Sequence, residues 1–452
     1  MKVKLNFASD NIFNGNLKNF FKLVLDVSED RKKISSNDKP VFLIPVIDRS
    51  GSMSSPASKD FNYSNDYSLN SCTYSNSLRG GLPVSNFLSA QRSYERPYFS
   101  KLDCAKSATV ELLDLLHDGD KFALVTFDDS ISVVQNPIDI TEKSKKEIKN
   151  NISQIVSGGC TNISDALLKA ADLITHNDTA KYNCKIVLLS DGCANIGLDK
   201  EEQFISLMPK ILDRNISTSS VGLGDDYDLG IMEAISGNCA GTFNHISDAL
   251  AIKDIFASEL KTAQNIVCKN TVVKISLPDM VAFKPNYNNY TEEIQKDNIY
   301  IKLGNLYNNK TLYYEFSVLD ETLKDITISV EVSYETPDGG ENTATMSRKI
   351  PIISKKEDLI ENKEIIDEIV NTVKDRYIYN ASKAVSTNDF ETASVSFAES
   401  SATMQSIVTA YNCCSTTAME DMNSIQSSLT STTSQDAIRK TFDNSSKKLR
   451  NS

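Results

Sequence analysis

Two segments of this sequence each place an aspartate at the end of an apolar run, with serine and glycine residues close to it. The first, VFLIPVIDRSGSM from Val41, places Asp48, Ser50 and Ser52 after seven apolar residues. The second, KIVLLSDG, ends in Asp191 and a glycine. Carboxylate and hydroxyl oxygens are hard ligands, which suit Mg²⁺ or Mn²⁺ better than softer metals. The two segments therefore predict an oxygen-lined cation site, on condition that the fold brings their ends together.

Strands and helices alternate between residues 39 and 263, and several of the strands are almost wholly apolar. This pattern indicates a parallel sheet covered by helices on both faces. In such sheets a ligand site lies at the carboxyl ends of the strands, where the strand order switches, and Asp48 and Asp191 both fall at such ends. A glycine turn, SGGCTN with Thr161, precedes one of the helices. The predicted strands are 41–47, 122–127, 131–134, 185–192, 217–223 and 241–246, and the predicted helices lie near 101–118, 141–156, 163–174, 204–212, 229–235 and 249–263.

The segments on either side of this region alternate apolar and polar residues, as strands with one buried face do. Residues 1–38 are too short to form a core alone, whereas residues 264–353 carry several more strand patterns. We therefore expect these two segments to build one β-sandwich. A doubly wound, mostly parallel α/β domain (39–263) would be inserted in it, and a helical region (354–452) would follow.

Residues 54–100 interrupt this organisation directly after the first of the predicted site segments. They are rich in Ser, Asn and Tyr and show no sustained periodicity. Two interpretations stay open: a polar insertion without a binding role, or a flap that contacts a partner through amphipathic tyrosines and covers or extends the site. The tyrosines concerned are Tyr63, Tyr67, Tyr74, Tyr94 and Tyr98.

The segments IDRSGSM, SGGCTNISDAL and LLSDG resemble the metal-ion-dependent adhesion site of the von Willebrand factor A-type family, and the order of elements through residue 263 is similar to that fold. The resemblance implies that Ser50, Ser52 and Thr161 give hydroxyl oxygens to an ion. It implies that Asp48 and Asp191 bind the ion directly or through water. The expected ion is Mg²⁺, with Mn²⁺ or Ca²⁺ as alternatives, and an Asp or Glu of a protein partner would complete the coordination. The whole arrangement is similar to that of soluble bacterial A-domain proteins.

Each part of this predicted site also has an ordinary structural interpretation. The serines can cap a turn, Thr161 and Asn162 can cap a helix, and Asp-Gly is a common turn dipeptide. Arg49, between two of the predicted ligands, would add a positive field that favours an acidic partner, or it is an ordinary surface or helix-packing residue. All five predicted ligands occur in the family's order, which favours one shared site.

Composition restricts the partners and the compartment. A net charge of −12 argues against general binding to nucleic acid or to anionic membranes. No apolar run is long enough to span a bilayer, and the first residues lack the apolar core of a secretory signal. The nine cysteines show neither zinc-binding nor disulfide spacing. We therefore expect reduced cysteines and a cytoplasmic protein.

Nothing in the sequence favours catalysis. None of the three histidines, His117, His176 and His245, lies near the predicted ligands in the chain, and no phosphate-binding glycine loop or nucleophile pairing occurs. We therefore predict a non-enzymatic, Mg²⁺-dependent protein-interaction module. The alternative is a structural or assembly subunit of a larger complex, in which the metal is only a staple. A third option is a metal-dependent phosphate-ester hydrolase.

Overall fold

The computed structural model describes residues 1–13, 18–33, 39–57, 99–224, 226–278, 280–284, 290, 292–320, 322–337, 339–386 and 390–411. The chain forms two compact units, one of residues 37–266 and the other of residues 1–36 and 267–452. The five tyrosines of the insertion and the tail beyond residue 411 lie outside the described residues.

The alternation of strands and helices that the sequence predicts is confirmed in the unit of residues 37–266, the α/β unit. The other unit contains the elements before residue 37 and those from residue 267 onward. In chain order the elements up to that point are β1 (Lys2–Phe7), β2 (Ile12–Phe13), β3 (Asn19–Asp26), α1 (Ser28–Lys33), β4 (Val41–Asp48), a 3₁₀ turn (Gly51–Ser54), α2 (Lys101–Leu115), β5 (Lys121–Phe127), β6 (Ile131–Asp139), α3 (Glu142–Ser153), α4 (Ile163–Asp172), α5 (His176–Lys181), β7 (Asn183–Ser190), α6 (Glu201–Leu212), β8 (Ile216–Leu223), α7 (Leu229–Gly237), β9 (Phe243–Ile246), a 3₁₀ turn (Ala249–Ala251) and α8 (Ile252–Gln264). The later elements are β10 (Cys268–Ser276), β11 (Val281–Lys284), β12 (Glu292–Gln295), β13 (Asn298–Leu306), β14 (Lys310–Val318), β15 (Asp325–Glu335), β16 (Glu341–Ile353), a 3₁₀ turn (Lys356–Asp358), α9 (Lys363–Ser386) and α10 (Phe390–Tyr411).

The α/β unit contains a six-stranded sheet in the order β6-β5-β4-β7-β8-β9. All neighbouring strands are parallel except β5 and β6. From β4 the chain continues to β5 on one side and later to β7 on the other, so the strand order switches at the β4–β7 pair. Ile47 of β4 lies opposite Leu189 of β7. Asp48 and Asp191 therefore emerge side by side at the edge where ligands bind in open α/β sheets.

The central strands are buried on both faces, which explains their continuous apolar sequences. Every residue of β4 and β7 is buried. Alternate residues of a strand point to opposite faces. Leu43 and Ile47 accordingly share one hydrophobic cluster with Leu112 of α2 and Phe256 of α8. This packing fixes the direction in which β4 delivers its last residue.

Strand β6 is longer than its predicted extent of 131–134. It continues to Asp139 and pairs antiparallel with β5 through register shifts beside Leu124. Pro137 lies within this strand, and an edge strand tolerates a proline because one side of it has no partner strand. Strand β6 therefore continues through the polar residues near its end.

The sheet also buries an ion pair. Lys185 of β7 and Glu259 of α8 are almost fully buried, with Nζ and Oε2 2.7 Å apart. Ser219 donates a hydrogen bond to the same oxygen at 2.7 Å, and Thr242 donates to the other. Burial alone would raise the pKa of Glu259, but the charge of Lys185 and these hydrogen bonds reverse the effect and lower it.

The other unit contains two sheets that share one hydrophobic core. Their strand orders are β1-β3-β14-β11 and β12-β13-β10-β15-β16-β2. All pairs are antiparallel except β2 with β16. Strand β3 precedes the α/β unit and β14 follows it, yet the two pair directly, with Leu23 opposite Leu312. Among the described residues, no helix is long and apolar enough to cross a membrane.

Candidate functional site at the ends of β4 and β7

Asp48 is the last residue of β4, and its side chain is fully buried. Its Oδ1 accepts a hydrogen bond from the backbone N–H of Ser50 at 2.7 Å, and its Oδ2 accepts one from the hydroxyl of Ser190 at 2.5 Å. Burial raises the pKa of Asp48 to about 6, and the nearby charge of Asp191 contributes to the rise. A cation beside this carboxylate would favour its charged form.

The hydroxyls of the two predicted serine ligands contact each other, and one of them also contacts the second aspartate. Ser50 precedes the 3₁₀ turn Gly51–Ser54, but its hydroxyl makes no capping hydrogen bond there. Its Oγ lies 3.0 Å from Oγ of Ser52, which donates to Oδ1 of Asp191 at 2.6 Å. Capping of this turn therefore does not account for Ser50, whose hydroxyl belongs to the polar cluster.

Thr161 approaches the same cluster from the glycine turn before α4. Its backbone N–H donates to Oδ1 of Asn195 at 2.8 Å, and its carbonyl accepts from the N–H of Asn195 at 3.1 Å. A Cβ placed on Gly192 would lie 3.6 Å from Oγ of Ser52 and 3.7 Å from Oγ1 of Thr161. The two hydroxyls thus flank the residue that follows Asp191. The helix cap is Asn162, whose side chain accepts from the N–H of Asp165.

The glycine turn is held against the first segment by backbone hydrogen bonds. The N–H of Gly51 donates to the carbonyl of Gly159 at 3.2 Å, and the N–H of Gly158 donates to the carbonyl of Arg49 at 2.8 Å. Gly159 has φ +69°, and a Cβ at this position would lie only 2.9 Å from Cβ of Asp128. Both its conformation and its surroundings therefore require a glycine.

The charge of Arg49 is directed away from the cluster. Its guanidinium pairs with Oδ2 of Asp128 at 2.9 Å and donates to Oγ of Ser130 at 3.2 Å. The predicted positive field from Arg49 is therefore compensated by a neighbouring carboxylate.

Two residues of the cluster were not among the predicted ligands. Lys101, the first residue of α2, places Nζ 2.7 Å from Oδ2 of Asp191, and Ser190 donates to Asp48 as described above. The Ser-Asp-Gly end of the second segment was a signal for Ser190. No local pattern pointed to Lys101, because residues 54–100 separate it from the first site segment.

The donors at this edge fit a hard divalent cation. They are the carboxylates of Asp48 and Asp191 and the hydroxyls of Ser50, Ser52 and Thr161, all uncharged or anionic oxygens. Both carboxylates are fully buried, and Ser50 and Thr161 are buried as well, whereas Ser52 is exposed. The cluster therefore opens to solvent at Ser52. In the described part of the chain, no three His, Cys, Asp or Glu side chains are arranged to hold a metal, and the predicted site uses only two such residues.

Comparison with sequence families gives one matching domain. The model of the von Willebrand factor type A domain matches residues 84–194, which include Thr161 and Asp191. Inter-alpha-trypsin inhibitor heavy chain H2 of Mesocricetus auratus is 29% identical over 154 residues, which is 32% of this chain and 16% of that protein. Uncharacterized protein YfbK of Escherichia coli (strain K12) is 24% identical over 178 residues, 39% of this chain and 30% of that protein. The chain thus matches less than a third of the length of either relative.

Solved structures resemble a larger part of the chain. The von Willebrand factor type A protein from Catenulispora acidiphila superimposes with a TM-score of 0.63 at 12% identity, covering 94% of this chain and 89% of that one. The ArnB paralog VWA2 from Sulfolobus acidocaldarius gives a TM-score of 0.53 at 14% identity, covering 99% and 97%. At these identities the likeness concerns the fold. Together with the family match, it shows that the chain contains a von Willebrand factor type A domain.

Proposed function

We propose that this protein is a Mg²⁺-dependent protein-interaction module, non-enzymatic, whose adhesion site consists of Asp48, Ser50, Ser52, Thr161 and Asp191. The observation that carries the proposal is the convergence of three chain segments at the switch point of the sheet. The contacts from Ser50 to Ser52 (3.0 Å) and from Ser52 to Asp191 (2.6 Å) place hydroxyl and carboxylate oxygens in one cluster. Proteins with this domain commonly bind other proteins.

In this proposal the three hydroxyls and two carboxylates hold the ion. When bound, Mg²⁺ supplies a positive charge and a position for one further oxygen ligand, because it retains water molecules that a ligand can replace. The buried carboxylates lie on the inner side and the exposed Ser52 on the outer side. A partner would approach from the outer side and contribute an Asp or Glu carboxylate.

The alternative, a metal that only staples an assembly subunit, is less well supported by the contacts around the site. The segments are already joined by their own hydrogen bonds, from Gly51 to Gly159, from Gly158 to Arg49, and between Thr161 and Asn195. A structural metal ion is needed where the chain segments around it are not connected by such hydrogen bonds. This favours an ion that is used for binding.

Affinity capture from the native source tests the proposal. In Mg²⁺, a specific partner should bind the wild type and should be lost in Asp48→Ala or on addition of EDTA. Asp172→Ala is the matched control, because Asp172 is an exposed aspartate of the same unit. If capture survives both Asp48→Ala and EDTA, the proposal is wrong. A complex that forms without metal and has one fixed stoichiometry by light scattering would instead support the assembly subunit.

The absence of catalysis and the compartment are parts of the same proposal. Six cysteines of the described residues are free: Cys104, Cys160, Cys184, Cys193, Cys239 and Cys268. Free thiols are typical of a reducing compartment, which supports a location in the cytoplasm. A screen of phosphate esters with Mg²⁺ or Mn²⁺ tests whether the protein is a hydrolase. Turnover by the wild type that is abolished in Asp191→Ala would support that option.

We also propose that the two-sheet unit is a β-sandwich into which the A domain is inserted, followed by a helical region. The pairing of β3 with β14 supports this arrangement, since these strands come from opposite sides of the A domain in the sequence.

A further inference from the structure

Lys101 occupies an unusual position for an ammonium group in a cation site. Its Nζ lies 2.7 Å from Oδ2 of Asp191, while Ser52 donates to Oδ1 of the same carboxylate. Asp191 is fully buried and the Lys101 side chain is only 15% exposed. A Cβ on Gly224 would lie 3.5 Å from Nζ, so the ammonium is enclosed between Asp191 and the turn after β8.

The backbone holds Lys101 in this place. Its N–H donates to the carbonyl of Ser55 at 3.0 Å, and the N–H of Ala57 donates to the carbonyl of Phe99 at 2.9 Å. These bonds join the two ends of the long insertion directly beside the 3₁₀ turn that carries Ser52. The start of α2 is therefore fixed next to the site by described residues on both sides of residues 58–98.

We propose that Lys101 is a resident cation that weakens divalent-ion binding and strengthens carboxylate binding by the loaded site. The inference rests on the proposed metal site. Asp48 and Asp191 contribute two negative charges and Lys101 one positive charge, whereas Arg49 is compensated by Asp128. With a divalent ion the cluster then carries a net charge of about +1, instead of about zero without the lysine. A positive cluster favours an anionic ligand and repels the divalent ion.

Coulomb's law gives the size of the effect. The repulsion between the single charge of the Lys101 ammonium and a divalent ion about 6 Å away raises the dissociation constant of the ion about tenfold, even at the dielectric constant of water. We therefore expect Lys101→Met, which keeps the length of the side chain and removes the charge, to bind Mn²⁺ about tenfold more tightly than the wild type. Lys101→Arg keeps the charge and is the matched control. It should bind Mn²⁺ within about threefold of the wild type.

The metal-free protein provides a second readout. Without its ammonium partner the buried Asp191 carboxylate is uncompensated, so Lys101→Met in EDTA should unfold about 5–10 °C lower than the wild type. Added Mn²⁺ should raise the unfolding temperature of Lys101→Met more than that of the wild type, because the ion takes over the role of the ammonium. In Lys101→Arg the two shifts should remain close to the wild-type values.

Mn²⁺ binding measured by electron paramagnetic resonance on the full chain, with thermal unfolding in parallel, tests the inference. The water-proton relaxation of the Mn²⁺-loaded protein, titrated with acetate, reports carboxylate binding. Lys101→Met should bind acetate about threefold more weakly, because two single charges about 6 Å apart interact half as strongly as a single and a divalent charge. If wild type and Lys101→Met bind Mn²⁺ equally, the inference is wrong and the metal site stands. If neither binds Mn²⁺, the metal site itself is wrong, and the inference is wrong with it.

Discussion

Replacement of Asp48 by asparagine is expected to stabilise the metal-free protein at neutral pH. The carboxylate is fully buried, and burial is the main cause that raises its pKa to about 6. Asparagine has the same shape without the charge. Its Oδ1 can still accept from the N–H of Ser50, and its amide can donate to Ser190, whose hydroxyl has a second acceptor in the carbonyl of Gly192 at 3.3 Å.

The magnitude follows from the pKa of Asp48 in the folded chain. A rise from 3.8 to about 6 corresponds to about 3 kcal/mol of destabilisation once the group is fully ionised. Because the folded state binds this proton more tightly, the group stabilises the fold below its unfolded pKa. That contribution is lost as the pH rises through about 6. Between about pH 4 and about pH 7, metal-free wild type should lose stability that Asp48→Asn retains.

Urea unfolding in EDTA at about pH 5 and about pH 7.5 measures the effect. Asp48→Asn should exceed the wild type by up to about 3 kcal/mol at the higher pH and by less at the lower one. Asp172→Asn, at an exposed position, should differ from the wild type by less than about 0.5 kcal/mol. Added Mg²⁺ should stabilise the wild type and leave Asp48→Asn unchanged. If Asp48→Asn is the less stable protein at the higher pH, burial of the charge is not the dominant effect and the reasoning is refuted.

Three further predictions concern the frame that positions the site. Glu259→Gln leaves a buried lysine without its counterion and should lower the free energy of unfolding by about 3–5 kcal/mol at neutral pH. The loss should be smaller below about pH 4, because the pKa of Glu259 is lowered in the folded chain and its stabilising effect disappears as the pH falls. Gly222→Ala would place a Cβ 2.4 Å from the ring of Tyr227 and should cost about 1–3 kcal/mol in urea unfolding, whereas Gly158→Ala, which meets no atom within 4 Å, should be near neutral. Replacement of residues 58–98 by a short glycine-serine linker should leave the unfolding temperature and Mn²⁺ binding unchanged, because hydrogen bonds between described residues join the two ends of the insertion. A loss of Mn²⁺ binding would show that the insertion supplies part of the site.

The arrangement of the α/β unit could be predicted because burial leaves a direct mark on sequence. Strands β4 and β7 are buried on both faces, so their residues read as continuous apolar runs whose ends stand out. Parallel strands deliver those ends to one edge, which is why Asp48 and Asp191 could be expected together. Thr161 was predicted from the family resemblance, in which a threonine in a glycine-rich turn lies between the two aspartates in the sequence. The lengths of the strands were harder to predict. Strand β6 continues through Pro137 because it lies at the edge of the sheet.

The charge of the site could not be predicted from neighbouring residues, and the reason is geometric. Successive side chains in an extended segment point to opposite sides, so Arg49 is turned away from Asp48 and Ser50 and pairs with Asp128. The positive charge at Asp191 comes instead from Lys101, which follows a long insertion in the sequence. Two backbone hydrogen bonds between the ends of the insertion hold Lys101 beside the site. A lysine at the start of a helix is ordinary in sequence. Only the tertiary contact with a fully buried carboxylate makes it part of the site, and only variants that remove its charge while keeping its length can separate its electrostatic role from its packing.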